Sequence, residues 1–370
     1  MTAQSRNYML DVLRGLAVLL ILGRHFDLLG VGGANPIFAA CVRFGWVGVD
    51  LFFVLSGFLI SGLLFSDFCK NGSIGIARFY TRRAFKIYPP FYAFLLTTVA
   101  IMIWRSAQPL PWRAILVEFL FLQSYCAHIY PHTWSLAVEE HFYLLLPLLL
   151  TLMTRFRRKD PFALLLWVFP FAAVVDLGLR SAIEAAQFSK LSYQSHLHMD
   201  GLFFGVLLSY LHRFRPERFD TVARSRIIWW LAVPLLALLA LYPAQHPLVY
   251  GPGVTVLYLV CGLGLAKVVG RQPAGWSRLI TAPLAKLGVY TYSTYLWHPF
   301  LIMFAAPHVH VGPWIKAALY VVCSIAAGVL ATLLVEGPAL VCRDHWFPAR
   351  SRSIQLARPT DEGPNPVDRT

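Results

Sequence analysis

Long runs of apolar residues, separated by short polar or basic segments, dominate the pattern of this chain. A helix of about 20 apolar residues is long enough to cross the hydrocarbon core of a bilayer, which is about 30 Å thick. The amphipathic segment 111–126 predicts an interfacial helix within a loop. The fold class is therefore an all-α polytopic membrane protein. The pattern predicts about ten transmembrane helices, at 8–27, 45–65, 87–104, 134–153, 162–180, 199–212, 227–243, 248–267, 284–305 and 314–335.

All of these helices fall within residues 1–340, which we interpret as one transmembrane domain. Residues 341–370 are rich in Pro, Arg and Asp and lack apolar periodicity, so they predict a disordered cytoplasmic tail. No remaining segment is long enough to bury a soluble core, and no fused soluble domain is expected. The first apolar run ends in Arg24-His25 without a small-residue cleavage site, so it is expected to remain as a helix.

The basic residues predict the orientation. Lys and Arg number 18 in the segments 66–86, 154–161, 213–226 and 267–286, against five on the opposite side. The positive-inside rule places both termini in the cytoplasm. Only 14% of residues are charged and 58% are hydrophobic, whereas about a quarter are charged in soluble domains. Because the net charge of +14 lies in short loops and forms no basic stripe, the sequence favours a lipid bilayer over nucleic acid as partner.

Ionisable side chains inside predicted spans are costly, so each one is a candidate functional residue. Arg14 and His25 lie on the first helix about 20° apart in azimuth and about 16 Å apart in height. One helix face therefore carries a cation toward the cytoplasm and an imidazole toward the outside. The alternative is that Arg14 pairs with Asp11 and that His25 is an interface residue.

The predicted directions of the spans place Asp50, Glu139 and His298 in the same outer layer as His25. A histidine with a carboxylate partner is the minimum for general base catalysis on a hydroxyl. Simpler interpretations remain open. Asp50 could cap a helix or pair with Arg43, and Glu139 could bind a helix N-terminus. His298 could satisfy a backbone carbonyl freed by the proline that follows it.

Two other groupings invite a chemical interpretation. Ser135 stands four residues before Glu139 and is a candidate nucleophile, although serine in membrane helices usually forms hydrogen bonds or packs. His196, His198 and Asp200 could bind a metal, but no further ligands are specified. We therefore expect no metal site. The six cysteines also lack a metal-binding spacing.

Six segments, taken in order, resemble the membrane acyltransferase-3 family over about residues 8–340. Each segment alone is weak, but their order is specific. They are LDVLRGLAVLLILGRHF at 10–26, GVDLFFVLSGFLI at 48–60, FYTRRAFKIYP at 79–89, TWSLAVEEHFYLLLP at 133–147, YTYSTYLWHP at 290–299 and EGP at 336–338.

The resemblance implies an enzyme that moves an acyl group, commonly acetyl, from cytoplasmic acyl-CoA to a hydroxyl of a surface carbohydrate or another glycosylated acceptor. It implies the plasma membrane, which is the inner membrane in bacteria, and acyl-CoA as a co-substrate without a permanently bound cofactor. The expected residues are His25, Asp50 and Glu139 for catalysis, Arg14, Arg83 and Lys86 for the donor, and Trp134, Ser135, Tyr295 and His298 for substrate.

Two positions depart from the family pattern. The family often has Arg-x-x-Arg in the first cytoplasmic loop, whereas this chain has Arg83-x-x-Lys86, which keeps the charge but loses a bidentate fork. The family often has Gln where His141 stands. The alternative function is a transporter or flippase of a glycan or small polar solute, which also needs buried ionisable groups. Such folds often have internal symmetry, which is not evident in this sequence. A passive membrane anchor would not require Arg14 and His25 on one helix face.

Overall fold

The structure is a computed structural model that describes residues 7–105, 110–156, 159–184, 187–304 and 306–347. Within these ranges the chain is predominantly helical and has no β-strand. Turns of π-helix at Val249–Gly253 and Thr332–Glu336 lead directly into helices. The α-helices of the described ranges are α1 (Tyr8–Arg24), α2 (Pro36–Phe44), α3 (Val47–Asn71), α4 (Ile76–Arg105), α5 (Trp112–Phe119), α6 (Trp134–Phe156), α7 (Leu165–Ser181), α8 (Phe188–Leu191), α9 (Met199–Phe214), α10 (Pro216–Arg224), α11 (Ile227–Leu241), α12 (Val254–Val268), α13 (Trp276–Val289), α14 (Thr291–Phe304), α15 (Pro313–Ala331) and α16 (Gly337–Trp346).

The prediction of an all-helical protein with several membrane-spanning helices is confirmed. In the described part, five helical stretches are long and apolar enough to cross a membrane, or six if α10 and α11, bent by 50°, form one span. The predicted number of ten and the cytoplasmic termini stay predictions. Helix α1 has 17 residues, or about 25 Å, and is therefore shorter than the hydrocarbon core. The five stretches are Pro36–Asn71, Ile76–Arg105, Pro131–Phe156, Val249–Val268 and Pro313–Trp346.

The span predicted at 284–305 is two helices, α13 and α14, which meet at Tyr290. Helix α13 packs on α1, whereas α14 packs mainly on α15. A Cβ atom at Gly288 would lie 2.0 Å from the carbonyl oxygen of Asp11, so the backbones of α13 and α1 are in contact. Because the two halves follow different partners, an apolar run that looks continuous in sequence changes direction.

Helices α3 and α9 cross with their backbones in contact. A Cβ atom at Gly57 would lie 2.0 Å from the carbonyl oxygen of Leu202, and one at Gly205 would lie 2.2 Å from that of Val54. Small residues at a crossing allow helices in a membrane to approach closely. This contact brings the N-terminal ends of α3 and α9 to the same end of the bundle, where the site lies.

A fully buried ion pair fastens α7 to the start of α9. Arg180 donates from Nη2 to Asp200 Oδ2 at 2.6 Å, and both side chains are almost completely buried. Asp176 accepts the backbone N–H of Asp200 at 2.8 Å. Arg180 is one of the five basic residues that the sequence places on the outer side, but it contacts other residues of the helix bundle. Removing one member of a buried pair leaves an uncompensated charge, so this pair holds the two helices in a defined position.

The first residues of the predicted tail are helical in the structure. Helix α16 continues to Trp346, beyond the expected boundary at residue 340. Helix α16 is docked on α4 by an ion pair between Arg82 and Asp344 at 3.5 Å and by a ring contact between Phe85 and Trp346. These contacts explain why 341–346 are helical despite their polar composition. The rest of the predicted tail, 348–370, lies outside the described residues, as do the loop residues Arg157 and Arg158.

The cysteines test the orientation. Cys126 is exposed in the loop that precedes α6, and Cys41 is half-buried in α2. Cys69 and Cys342 are exposed near the opposite end of the bundle. We expect a membrane-impermeant maleimide to label Cys126 in intact cells, and Cys41 more slowly, while Cys69 and Cys342 react only after permeabilisation. Single-cysteine variants and mass spectrometry would measure this. Labelling of Cys69 in sealed cells would reverse the orientation.

Candidate functional site

The first of two adjoining cavities in the helix bundle has a volume of about 160 Å³ and is rich in charge. All three residues predicted to hold the donor, Arg14, Arg83 and Lys86, line it, together with the carboxylates Glu139 and Glu140. Helices α1, α4 and α6 bring these side chains together from distant parts of the sequence. We call this space the inner cavity, because the predicted orientation places it toward the cytoplasm.

The three cations of the inner cavity differ in their partners. Lys86 forms an ion pair with Glu336, which also accepts a hydrogen bond from Ser293 at 3.0 Å. Arg14 pairs with Asp11 at 3.3 Å, as the simpler interpretation of the sequence expected, although it also lines the cavity. Two of the three positive charges are therefore already balanced by a carboxylate.

Arg83 is the exception. Its guanidinium lies over the rings of Tyr143 and Phe79, at 5.5 and 5.8 Å from their centroids. It forms no ion pair within 4.0 Å with any residue that the structure describes. A guanidinium stacked on an aromatic ring retains its hydrogen-bond donors, and it is well suited to phosphate groups.

Glu139 lines the inner cavity and does not line the space that contains His25. Its two oxygens accept hydrogen bonds from Ser56 at 2.7 Å and from Tyr143 at 2.8 Å. The sequence predicted that Glu139 would share a layer with His25, but the side chain of Glu139 points along α6 toward Tyr143. The structure therefore groups Glu139 with the predicted donor residues, and its role in catalysis stays a prediction.

The second space, which we call the outer cavity, has a volume of about 490 Å³. His25, Asp50 and Trp134, all predicted site residues, line it. Arg43 does not pair with Asp50, because it donates to the carbonyl oxygens of residues 239 and 242 at 2.7 and 3.2 Å. His25 and Asp50 are therefore the predicted base and carboxylate that the fold does bring to one cavity.

The two cavities adjoin at Ile21, Val49 and Tyr295, which line both of them. Ile21 lies seven residues after Arg14 and four before His25, so these three residues share one face of the first helix. The prediction that Arg14 and His25 face the same side agrees with this geometry. One helix face therefore extends from the cations of the inner cavity to the imidazole of the outer cavity.

Three histidines cluster beside this junction. The ring centroid of His298 lies 4.9 Å from that of His25 and 5.4 Å from that of His132. His298 donates from Nδ1 to the carbonyl oxygen of Tyr295 at 2.5 Å, which is the carbonyl that Pro299 leaves without its usual partner. The simpler interpretation, that His298 satisfies a carbonyl freed by Pro299, therefore accounts for the position of Nδ1. The other nitrogen, Nε2, is buried and has no partner among the described residues, and His298 lines neither cavity.

The side chains of Ser135 and Tyr295 form a hydrogen bond with each other. Their hydroxyl oxygens lie 2.6 Å apart, and Tyr295 donates to the backbone carbonyl of His132. Ser135 lines the inner cavity and Tyr295 lines both. Ser135 therefore forms a hydrogen bond, as serine in membrane helices usually does, and the oxygens of Glu139 are engaged by Ser56 and Tyr143.

Sequence reasoning missed several residues of the outer cavity, among them His132, Tyr193 and Tyr250. They lie outside the predicted spans or at their ends, where the hydropathy pattern carries no information about the fold of a loop. The buried carboxylate of Glu118 organises one of these loops by accepting the N–H of Tyr130 at 3.1 Å and the hydroxyl of Thr133 at 2.9 Å. A lone Glu in an amphipathic segment gives no sign of this role.

The remaining polar residues of the outer loops hold the structure together. His198 engages the hydroxyl of Tyr258 and the carbonyl of Ser192, each at 2.9 Å, and His196 is exposed. In the described ranges, no three His, Cys, Asp or Glu side chains converge as metal ligands. His141, where the family often has Gln, bonds to the hydroxyl of Ser195 at 2.8 Å and so joins α6 to the loop before α9.

A bundle of apolar helices around two adjoining cavities that contain ionisable side chains defines an α-helical, multi-pass membrane protein with an internal site. A family model described as an acyltransferase domain matches residues 7–335. The chain therefore belongs to the membrane acyltransferase-3 family, as its motifs indicated.

Two relatives illustrate the similarity. The chain is 25% identical to the peptidoglycan O-acetyltransferase OatA of Listeria monocytogenes, over 91% of this chain and 56% of the relative. It is also 25% identical to the O-acetyltransferase OatA of Staphylococcus aureus, over 88% of this chain and 55% of the relative. The chain spans about half the length of the curated relatives it matches. No solved structure matches the chain.

Proposed function

We propose that this protein is a membrane O-acyltransferase of the plasma membrane, the inner membrane in a bacterium. It transfers an acyl group, acetyl in our proposal, from cytoplasmic acyl-CoA to a hydroxyl of a carbohydrate. The observation that carries the proposal is the junction of the two cavities on the face of α1 that bears Arg14 and His25. Such a junction allows a donor and an acceptor to meet from opposite sides of the membrane.

The inner cavity is suited to the donor. CoA carries several phosphate charges, and the cavity offers Arg83 without an ion-pair partner together with Arg14 and Lys86. A phosphate held near these cations would leave the pantetheine arm free to extend along α1 past Ile21. The thioester would then lie at the junction, below His25. Arginine forms bidentate hydrogen bonds to phosphate, which favours Arg83 as the principal contact.

The outer cavity is suited to the acceptor. In the proposed step, His25 takes the proton of an acceptor hydroxyl as that oxygen attacks the thioester carbon. The C–S bond breaks, and the departing thiolate of CoA takes the proton from His25, which returns the imidazole to its neutral form. Asp50, which lines the same cavity, is the carboxylate that can orient His25 or the acceptor. The reaction requires no permanently bound cofactor.

A transporter or flippase of a glycan or small polar solute remains the alternative function, since adjoining polar cavities also describe a transport path. The two functions differ in their products. Protein reconstituted in sealed vesicles, with radiolabelled acetyl-CoA on the cytoplasmic side and carbohydrate on the other, is expected to place label on the carbohydrate as an alkali-labile ester. Empty vesicles are the control. Passage of unmodified solute without ester formation would contradict the proposal and favour transport.

A further inference from the structure

We propose that the outer cavity is a binding site for one uncharged sugar ring, which packs its C–H face against a wall formed by Trp134 and Tyr193. This inference rests on the proposed function and specifies the chemical class of its acceptor. It goes beyond the family match, which concerns acyl transfer and does not assign Tyr193 any role. Four observations carry the inference: the rigidity of the wall, its unused donors, the balance of charge and the access to the cavity.

The aromatic wall is rigidly supported. The Trp134 ring lies 4.9 Å from the ring of His198 and 5.7 Å from that of Phe53. Both nitrogens of His198 are engaged by the protein, so this ring cannot turn freely. Tyr193 lies 5.1 Å from Trp134 at an interplanar angle of 39°, and it has no other ring contact among the described residues. Both rings line the outer cavity, and aromatic rings of this kind pack against the apolar face of a pyranose.

The polar atoms of the wall are available to a ligand. Trp46, Trp134 and Tyr193 are half-buried and line the cavity. The indole N–H groups of Trp46 and Trp134 form no hydrogen bond to any residue that the structure describes. The same is true of the Tyr193 hydroxyl. By contrast, the Tyr250 hydroxyl of the same cavity donates to the carbonyl of Ser192 at 3.0 Å. Tyrosine and tryptophan combine a large apolar surface with a single donor, a combination that suits a sugar ring with its hydroxyls at the edge.

The two cavities differ in charge. The inner cavity has three cations and two carboxylates in its lining. Apart from histidines and tyrosines, the ionisable side chains of the outer cavity are Arg24, Asp27 and Asp50, which are one basic and two acidic residues. The outer cavity therefore lacks the excess of cations that would attract a carboxylate or phosphate of a ligand. The partition therefore favours an uncharged ring in the outer cavity.

The volume of the outer cavity and the access to it also suit a single sugar ring. A volume of about 490 Å³ lies within the range of about 300–1,000 Å³ typical of small-molecule sites. Asp27, Leu28 and Gln245 are exposed and line the rim, while Asp50 and His198 are buried at the base. The outer cavity is therefore open at its rim, and the aromatic wall and His25 line the same space.

The test measures sugar binding without any acyl donor, so that its result does not depend on catalysis. The full chain in nanodiscs is mixed with a β-1,4-linked trimer of N-acetylglucosamine, or with a trimer of galacturonic acid as the charged counterpart. We expect saturation-transfer NMR to detect contact with the ring C–H groups of the neutral trimer. Tyr193→Ala should weaken this signal at least threefold, whereas Tyr193→Phe, which keeps the ring, should retain most of it.

Tyr125→Ala is the matched control, because Tyr125 is an exposed tyrosine of the outer loops that bonds to His196 and lines neither cavity. In the transfer assay, Tyr193→Ala should raise the KM for the sugar about tenfold and change the KM for acetyl-CoA less than twofold. Equal signals from wild type and Tyr193→Ala, preference for the acidic trimer, or no binding of the neutral trimer would overturn the inference. Sugar binding without any acetyl transfer would instead refute the proposed function alone.

Discussion

Replacing His25 by alanine is expected to reduce acyl transfer by about 10²–10⁴-fold, the usual contribution of a general base. His25 is the residue of the α1 face that reaches the outer cavity, next to the junction with the inner cavity. His25→Gln should not restore activity, because an amide cannot accept the proton of a hydroxyl. The rate of ester formation from radiolabelled acetyl-CoA by purified protein would measure the effect.

His196→Ala is the matched control for this experiment, because His196 is an exposed histidine outside both cavities. It should transfer at the rate of the wild type, and both variants should insert into the membrane at normal levels. Near-normal transfer by His25→Ala would refute the proposed mechanism. A radiolabelled acyl adduct on Ser135 or another side chain would replace it with a covalent mechanism.

Arg83→Gln is expected to raise the KM for acyl-CoA by about 10- to 100-fold, more than Lys86→Gln does. Hydrogen bonds to charged groups contribute about 1.5–3 kcal/mol, and 1.4 kcal/mol corresponds to a factor of ten. No described carboxylate lies within 4.0 Å of the Arg83 guanidinium, so its hydrogen-bond donors are available to a phosphate. The charge of Lys86 is already balanced by Glu336. Steady-state kinetics with varied acetyl-CoA would give both constants.

Arg82→Gln is the control for Arg83→Gln, since Arg82 is the adjacent arginine, pairs with Asp344 and does not line the inner cavity. It should leave the KM for acyl-CoA unchanged. Lys86→Gln should mainly lower thermal stability, because it leaves the buried carboxylate of Glu336 unpaired, and Glu336→Gln in the same chain should restore the stability. Equal KM values for Arg82→Gln and Arg83→Gln would reduce Arg83 to a determinant of membrane orientation.

Much of the candidate site could be predicted because some relations between residues are local. Arg14 and His25 share one helix, so the period of that helix alone places them on one face. The sequence motifs also predict Asp50, Trp134 and Tyr295 as site residues, and all three line the outer cavity. By contrast, the common layer predicted for His25 and Glu139 came from the direction of two separate helices, and the structure places these side chains in different cavities.

The residues that sequence analysis missed depend on loops and on packing. His132 and Tyr193 lie in segments without hydropathy periodicity, and the fold of one such segment follows from the buried carboxylate of Glu118. The carbonyl freed by Pro299 engages Nδ1 of His298 and the ring lies beside His25, while the predicted contact of His298 with substrate stays a prediction. Such positions depend on partners that are distant in sequence.

The amino-acid sequence by itself determined that this chain is a helical membrane protein of the acyltransferase-3 family with Arg14 and His25 on one helix face. These properties follow from hydrophobic runs, helical period and ordered motifs, all of which are local in sequence. Only the tertiary structure decided that 284–305 is two helices, that Arg83 has no ion-pair partner among the described residues while Lys86 has Glu336, and that two cavities meet at Ile21. The physical reason is that ion pairs and cavities depend on which helices pack together, and the apolar pattern of a membrane helix does not specify its neighbours.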